Sequence, residues 1–152
     1  MHSKGTVFAL TAAAMQAAHQ VADHWLQTDH QAAHKGDPGA PGHRACLGHV
    51  AGYTATTTVA VLAAARATGT PVPLRALLTG QAISAASHYV MDRRPWGRAI
   101  MARAGKGGFA ALGAPRPGKD DAPTLGTGAY ALDQSWHVGW IAIAALVTAA
   151  LS

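Results

Sequence analysis

Asp133-Gln134-Ser135-Trp136-His137, running through Val138 into the apolar stretch Gly139-Trp-Ile-Ala-Ile-Ala-Ala-Leu-Val-Thr-Ala-Ala-Leu151, decides the fold. Asp133 and His137 are spaced i, i+4, so on a helix both side chains lie on one face, a single turn apart. The same spacing recurs in His19-x-x-x-Asp23 and His88-x-x-x-Asp92, with a lone His49 between them in the chain. Three polar pairs of this kind, each in or beside an apolar helical segment, predict an all-α protein whose helices carry ligands into a bundle interior.

Four segments follow from this pattern: about Thr6 to Thr28, Ala45 to Ala65, about Pro73 to Asp92 and about Gly128 to Ser152. In an up-down bundle of four main helices, the end of the first, the start of the second, the end of the third and the start of the fourth share one level. His19, Asp23, His49, His88, Asp92, Asp133 and His137 all fall at that level and form the candidate metal-ligand set.

Residues 1–152 suit one domain with a single core. Charged residues are only 12% of the chain, and Ala and Gly are abundant, which favours close helix packing. Cys46 is the sole cysteine, so neither an internal disulfide nor a cysteine-based zinc ribbon is available. The net charge of +5 comes from the connections: Lys35 and Arg44 flank the first, whereas Arg93, Arg94, Arg98, Arg103, Lys106, Arg116 and Lys119 crowd the third. No recognition motif for nucleic acid accompanies these residues, and no nucleic-acid partner is expected. Each segment is long enough to span about 30 Å of bilayer at 1.5 Å per residue. Basic connections at one end, with Trp25, Trp96, Trp136, Trp140, Tyr53, Tyr89 and Tyr130 mapping to that end, predict a transmembrane bundle in the cytoplasmic (inner) membrane, its site facing the cytoplasm.

The first connection, Asp29 to Arg44, holds Lys35-Gly-Asp-Pro-Gly-Ala-Pro-Gly and is not expected to be helical throughout. The Gly/Pro-rich basic loop at about 93–127 is expected to be a mobile lid or partly disordered. Lys4 followed by a weakly apolar run also resembles a signal peptide, whose cleavage near Ala14 or Ala17 would leave His19 at a frayed end.

Histidine with aspartate suits a divalent ion such as zinc, manganese or iron, either one ion with an outer shell or two bridged by an aspartate. Such a centre activates water for hydrolysis of a phosphate- or acyl-containing substrate, a small-molecule or lipid-linked anion. Asp23 or Asp92 would act as general base if free of the metal, and Arg93 and Arg94 would contact the anion through forked hydrogen bonds. Gln27 and Gln134 adjoin the ligand set and can orient ligands or substrate. A non-enzymatic metal carrier or sensor uses the same residues without activating water, and paired axial histidines on a haem are a third reading. A carrier needs a polar route through the bundle, an enzyme a pocket open to one side.

The run His19-Gln-Val-Ala-Asp23-His-Trp-Leu26-Gln27-Thr28-Asp29, with Lys35, His49 and Asp133-Gln134-Ser-Trp-His137, resembles the bacterial membrane family called domain of unknown function 3307. His88-x-x-x-Asp92 is similar to motifs in the broader group of membrane-bound metal-dependent hydrolases. The resemblance spans most of the chain and implies a multi-helix membrane protein with polar residues gathered inside. The chain departs from the family pattern at Asp23-His-Trp and in its Gly/Pro-rich first connection.

Overall fold

A computed structural model describes residues 3–119 and 126–152. Among the described residues the chain is all helical: α1 (Lys4–Val21) runs into a π-helical turn (Ala22–Leu26), then α2 (Asp29–His34), α3 (Gly39–Thr68), α4 (Leu74–Asp92), α5 (Arg94–Arg103), α6 (Gly107–Ala110) and α7 (Gly128–Ala150). The four long helices close a ring, α1 packing on α3 and α7, and α4 on the same two neighbours.

Local signals set the element ends. Ser3 accepts from the Thr6 amide at the start of α1, and Thr127 from the Tyr130 amide at the start of α7, each filling a donor that the first turn leaves unpaired. Thr28 and Gln31 form a reciprocal capping box that starts α2. Pro38 and Pro73 precede α3 and α4, where a missing amide costs nothing, and α3 stops at Gly69, whose φ of +65° is left-handed.

The second segment therefore begins earlier than Ala45. Pro41 lies in the first turn of α3, where it removes no helical hydrogen bond. The third connection also differs from expectation, because α5 and α6 occupy it; Pro95 sits within the first turn of α5. Its 120–125 stretch lies outside the described residues.

Away from the histidines the core is packed by Met15, Val61, Leu77, Ile141 and Ala144. Gly80 lets α4 approach α7 closely, since a Cβ there would overlap Thr148 Oγ1 and crowd the Ala144 carbonyl. Between this cluster and the histidine layer lie two polar contacts, Tyr53 Oη to Ser84 Oγ at 2.6 Å and Thr57 Oγ1 to Gln81 Oε1 at 3.0 Å. Among the described residues α3 is the one helix long and apolar enough by composition to cross a membrane.

Candidate metal centre

His19, His49, His88 and His137 come from α1, α3, α4 and α7 and are all buried, at 0–2% exposure. The i, i+4 spacing then fixes each aspartate beside its histidine: His19 Nδ1 lies 3.4 Å from Asp23 Oδ2, His88 Nε2 3.2 Å from Asp92 Oδ2, and His137 Nε2 3.6 Å from Asp133 Oδ1. The π-helical turn carries Asp23, and its Oδ1 comes within 3.6 Å of His49 Nε2 and 3.7 Å of His88 Nε2. Wide turns of this sort are common where a helix must re-aim a functional side chain.

The tightest part of the centre is a triangle. His49 Nε2 and His88 Nε2 are 3.0 Å apart, and they stand 3.1 and 3.2 Å from Asp92 Oδ2. Donors about 2.1 Å from one ion are about 3.4 Å apart in a tetrahedron and about 3.0 Å apart along an octahedral edge. The three atoms are therefore spaced as one face of a small coordination polyhedron. Two further groups adjoin it, His19 with Asp23 and His88, and Asp92 with Asp133 and His137, and within each group the ligand atoms lie within 4.8 Å of one another. The structure thus brings all seven ligand candidates into one contiguous set.

Burial without partners marks the same place. His19 Nδ1 and Nε2, Asp23 Oδ1, His88 Nδ1, Asp92 Oδ2 and His137 Nε2 are buried and lack a hydrogen bond of acceptable geometry among the described residues. Each such atom costs about 1–3 kcal/mol unless something satisfies it. A cation held by lone pairs removes that cost for several atoms at once, so these buried groups can hold a metal ion.

Around the triangle the chain sets ring positions and charge. His88 stacks on Tyr53, at 4.0 Å between ring centroids, and lies tilted against His137 at 4.1 Å on its other side. Lys35 Nζ donates to Asp92 Oδ1 at 2.9 Å, putting a compensating charge on the most buried carboxylate. The capping box at Thr28 starts the short helix that delivers Lys35. Arg93 is buried and donates through Nη1 to the Lys35 carbonyl and through Nη2 to the Asp37 carbonyl, which clamps the first connection. The two neighbouring arginines therefore differ in use, because Arg94 is exposed and borders a cavity of 550 Å³ that reaches Asp23, Asp92 and Asp133.

Some residues sit where sequence reasoning did not put them. Tyr53 belongs to the centre and not to an interfacial belt, since it is 1% exposed and covers His88. The signal was present as His49-x-x-x-Tyr53, the same one-turn spacing as the ligand pairs. His30 and His34 lie exposed in the first connection, as their place in the sequence suggests, with rings tilted against each other, and His34 pairs with Asp37 at 2.7 Å. His24 bonds the Tyr130 hydroxyl at 2.9 Å and His43 bonds that of Tyr89, outside the ligand set. Gln134 donates to Asp133 Oδ2 at 3.3 Å. No protein family, curated protein or solved structure was found to match the chain.

Proposed function

We propose that this protein is a membrane-embedded, metal-dependent hydrolase that acts on a phosphate- or acyl-containing substrate. The observation that carries the reading is the triangle of His49 Nε2, His88 Nε2 and Asp92 Oδ2 beside a cavity open to one side. A catalytic ion keeps a coordination position open where a structural site is closed, and Asp92, which belongs to the triangle and also lines the cavity, supports the catalytic arrangement. Two histidines with one carboxylate suit zinc, manganese or iron(II). One ion fits better than two, because the ammonium of Lys35 on Asp92 Oδ1 would repel a second cation placed between Asp92, Asp133 and His137.

Such an ion supplies acidity to a bound water. Asp23 is the residue placed to take the proton, with Oδ1 free of hydrogen bonds and facing both imidazoles of the triangle. Hydrolysis then adds the water oxygen to phosphorus or acyl carbon, breaks the ester bond and delivers a proton to the departing oxygen. The carrier alternative needs a polar passage through the bundle, and the packed layer of Met15, Val61, Leu77 and Ile141 beyond the histidines argues against one.

Membrane embedding is supported by an inverted polarity. Between Lys4 and Asp23 in α1, Arg44 and Arg66 in α3, and Arg75 and Asp92 in α4, and after Asp133 in α7, no Lys, Arg, Asp or Glu occurs. Leu62, Leu78, Ile143 and Leu146 face outward, while Thr11, Thr57, Gln81 and Thr148 are buried. A water-exposed bundle carries its charges on the outer face. The gathering of basic residues at the histidine end supports an orientation with that end at the cytoplasmic face of the cytoplasmic membrane. Kinship with the domain of unknown function 3307 family is part of the same proposal, carried by Leu26-Gln27-Thr28 and Asp133-Gln134-Ser-Trp-His137.

The test uses the purified full chain in a neutral detergent with p-nitrophenyl phosphate and p-nitrophenyl acetate. Turnover of at least one, abolished by chelation and restored by zinc, manganese or iron(II), is expected. Asp23→Asn should lower it about a hundredfold or more while the protein still binds metal. Hydrolysis of neither ester with any of these ions overturns the enzymatic reading, and release of the protein from membranes by alkaline carbonate overturns the embedding.

A further inference from the structure

One face of α5 has no role in the metal centre and yet borders it. Arg94, Gly97, Arg98 and Met101 are spaced i, i+3, i+4 and i+7, so they form a single stripe along the helix, and all four line the 550 Å³ cavity. Gly97 is what seats α5 there: a Cβ would stand 2.8 Å from the Met91 carbonyl oxygen, so a bulkier residue would lift the helix off the end of α4. Asp23, Asp92 and Asp133, the carboxylates of the metal centre, line the same cavity.

The side-chain charges of this cavity balance, Lys35, Arg94 and Arg98 against Asp23, Asp92 and Asp133, so any cation bound there adds positive charge that nothing in the lining offsets. Lys35 is committed to Asp92, and Arg94 gives one donor to the Ala32 carbonyl at 2.7 Å. Arg98 makes no hydrogen bond or ion pair among the described residues. With a divalent ion bound, three side-chain cations and the ion face three carboxylates, which leaves an excess of two positive charges. A dianion complements that excess, and planar guanidinium forks match phosphate oxygens. The remaining lining is mixed: Met91, Met101, Ala129 and the Tyr130 ring supply apolar surface beside the polar His24, Gln27, Thr127 and Gln134. The size suits a small molecule, since ligand pockets usually enclose about 300–1,000 Å³.

We propose that this cavity binds the phosphomonoester head of an amphiphile, with the phosphate between Arg98, Arg94 and the metal centre and the start of its chain against Met101 and Tyr130. The inference rests on the hydrolase reading and narrows it, selecting a phosphate ester over an acyl ester. It also fits the site's level, because α5 carries the exposed Trp96 beside its arginines at the end of the bundle assigned to the membrane surface.

The experiment measures binding of radiolabelled dodecyl phosphate, and of inorganic phosphate alone, to the zinc-loaded full chain in dodecyl maltoside. Wild type is compared with Arg98→Gln, an exposed position whose substitution leaves the core intact, and zinc affinity is measured on the same samples. Dodecyl phosphate should bind more tightly than inorganic phosphate, and Arg98→Gln should weaken it about tenfold or more with zinc affinity unchanged. Equal binding of inorganic phosphate, with the same dependence on Arg98, assigns the cavity to a soluble phosphate and overturns the amphiphile. No effect of Arg98→Gln overturns the cavity as the phosphate site. A wild-type chain that takes no zinc overturns the metal reading and this inference with it, whereas zinc binding without an effect of Arg98→Gln overturns this inference alone.

Discussion

Removing one imidazole from the triangle should dismantle the ion site without dismantling the bundle. His88→Ala takes away the Nε2 that stands 3.0 Å from His49 Nε2 and 3.2 Å from Asp92 Oδ2. Zinc binding at a closed four-ligand site is worth about 12 kcal/mol, about 3 kcal/mol per ligand, so the loss of one of the three ligands here should lower affinity by about 150-fold or more. His49→Ala should cost a similar amount. The double variant should cost much less than the sum, because a site that has lost one corner has little left for the second loss to remove. The assay is competition for zinc against a chromophoric chelator in detergent, with the helical signal on heating followed in the metal-free proteins. That second measurement matters because His88 is packed between Tyr53 and His137, and its truncation leaves a void worth about 2–4 kcal/mol. If the two imidazoles merely share a hydrogen bond, each single variant will lose stability and neither will lose zinc affinity. That outcome refutes the reasoning.

Other expectations follow from the groups around the triangle. Lys35→Met should destabilise the metal-free protein by about 3–5 kcal/mol, because it strips the buried Asp92 of its cation. The stabilisation on adding zinc should then be larger than in wild type, as thermal unfolding with and without metal will show. Thr28→Ala breaks the capping box that starts α2 and should cost about 1 kcal/mol. Because α2 delivers Lys35, the same variant should also show faster amide hydrogen exchange across 29–37, with zinc affinity falling less than in His88→Ala.

Much of this architecture is legible in the chain because two periodicities agree. The i, i+4 pairs set which face of each helix is polar, and the alternation of chain direction sets the level at which those faces meet; His19, His49, His88 and His137 follow from both. What the sequence conceals is radial direction and backbone chemistry. Tyr53 lies at the level of an interfacial belt and reads as part of one, until its register with His49 turns it inward onto His88. Arg93 reads as an anion contact because it follows Asp92, but its partners are the Lys35 and Asp37 carbonyls, and acceptors of that kind leave no trace in side-chain identity. The third connection reads as loop because Gly and Pro punctuate it, although Pro95 is harmless in the first turn of α5 and Gly97 is needed for its seat on Met91.

The most direct test is anomalous scattering from zinc-soaked crystals. One peak about 2.0–2.2 Å from His49 Nε2, His88 Nε2 and Asp92 Oδ2 is the expected result. An ion seated elsewhere, or no anomalous peak among these side chains under zinc-replete conditions, contradicts the account.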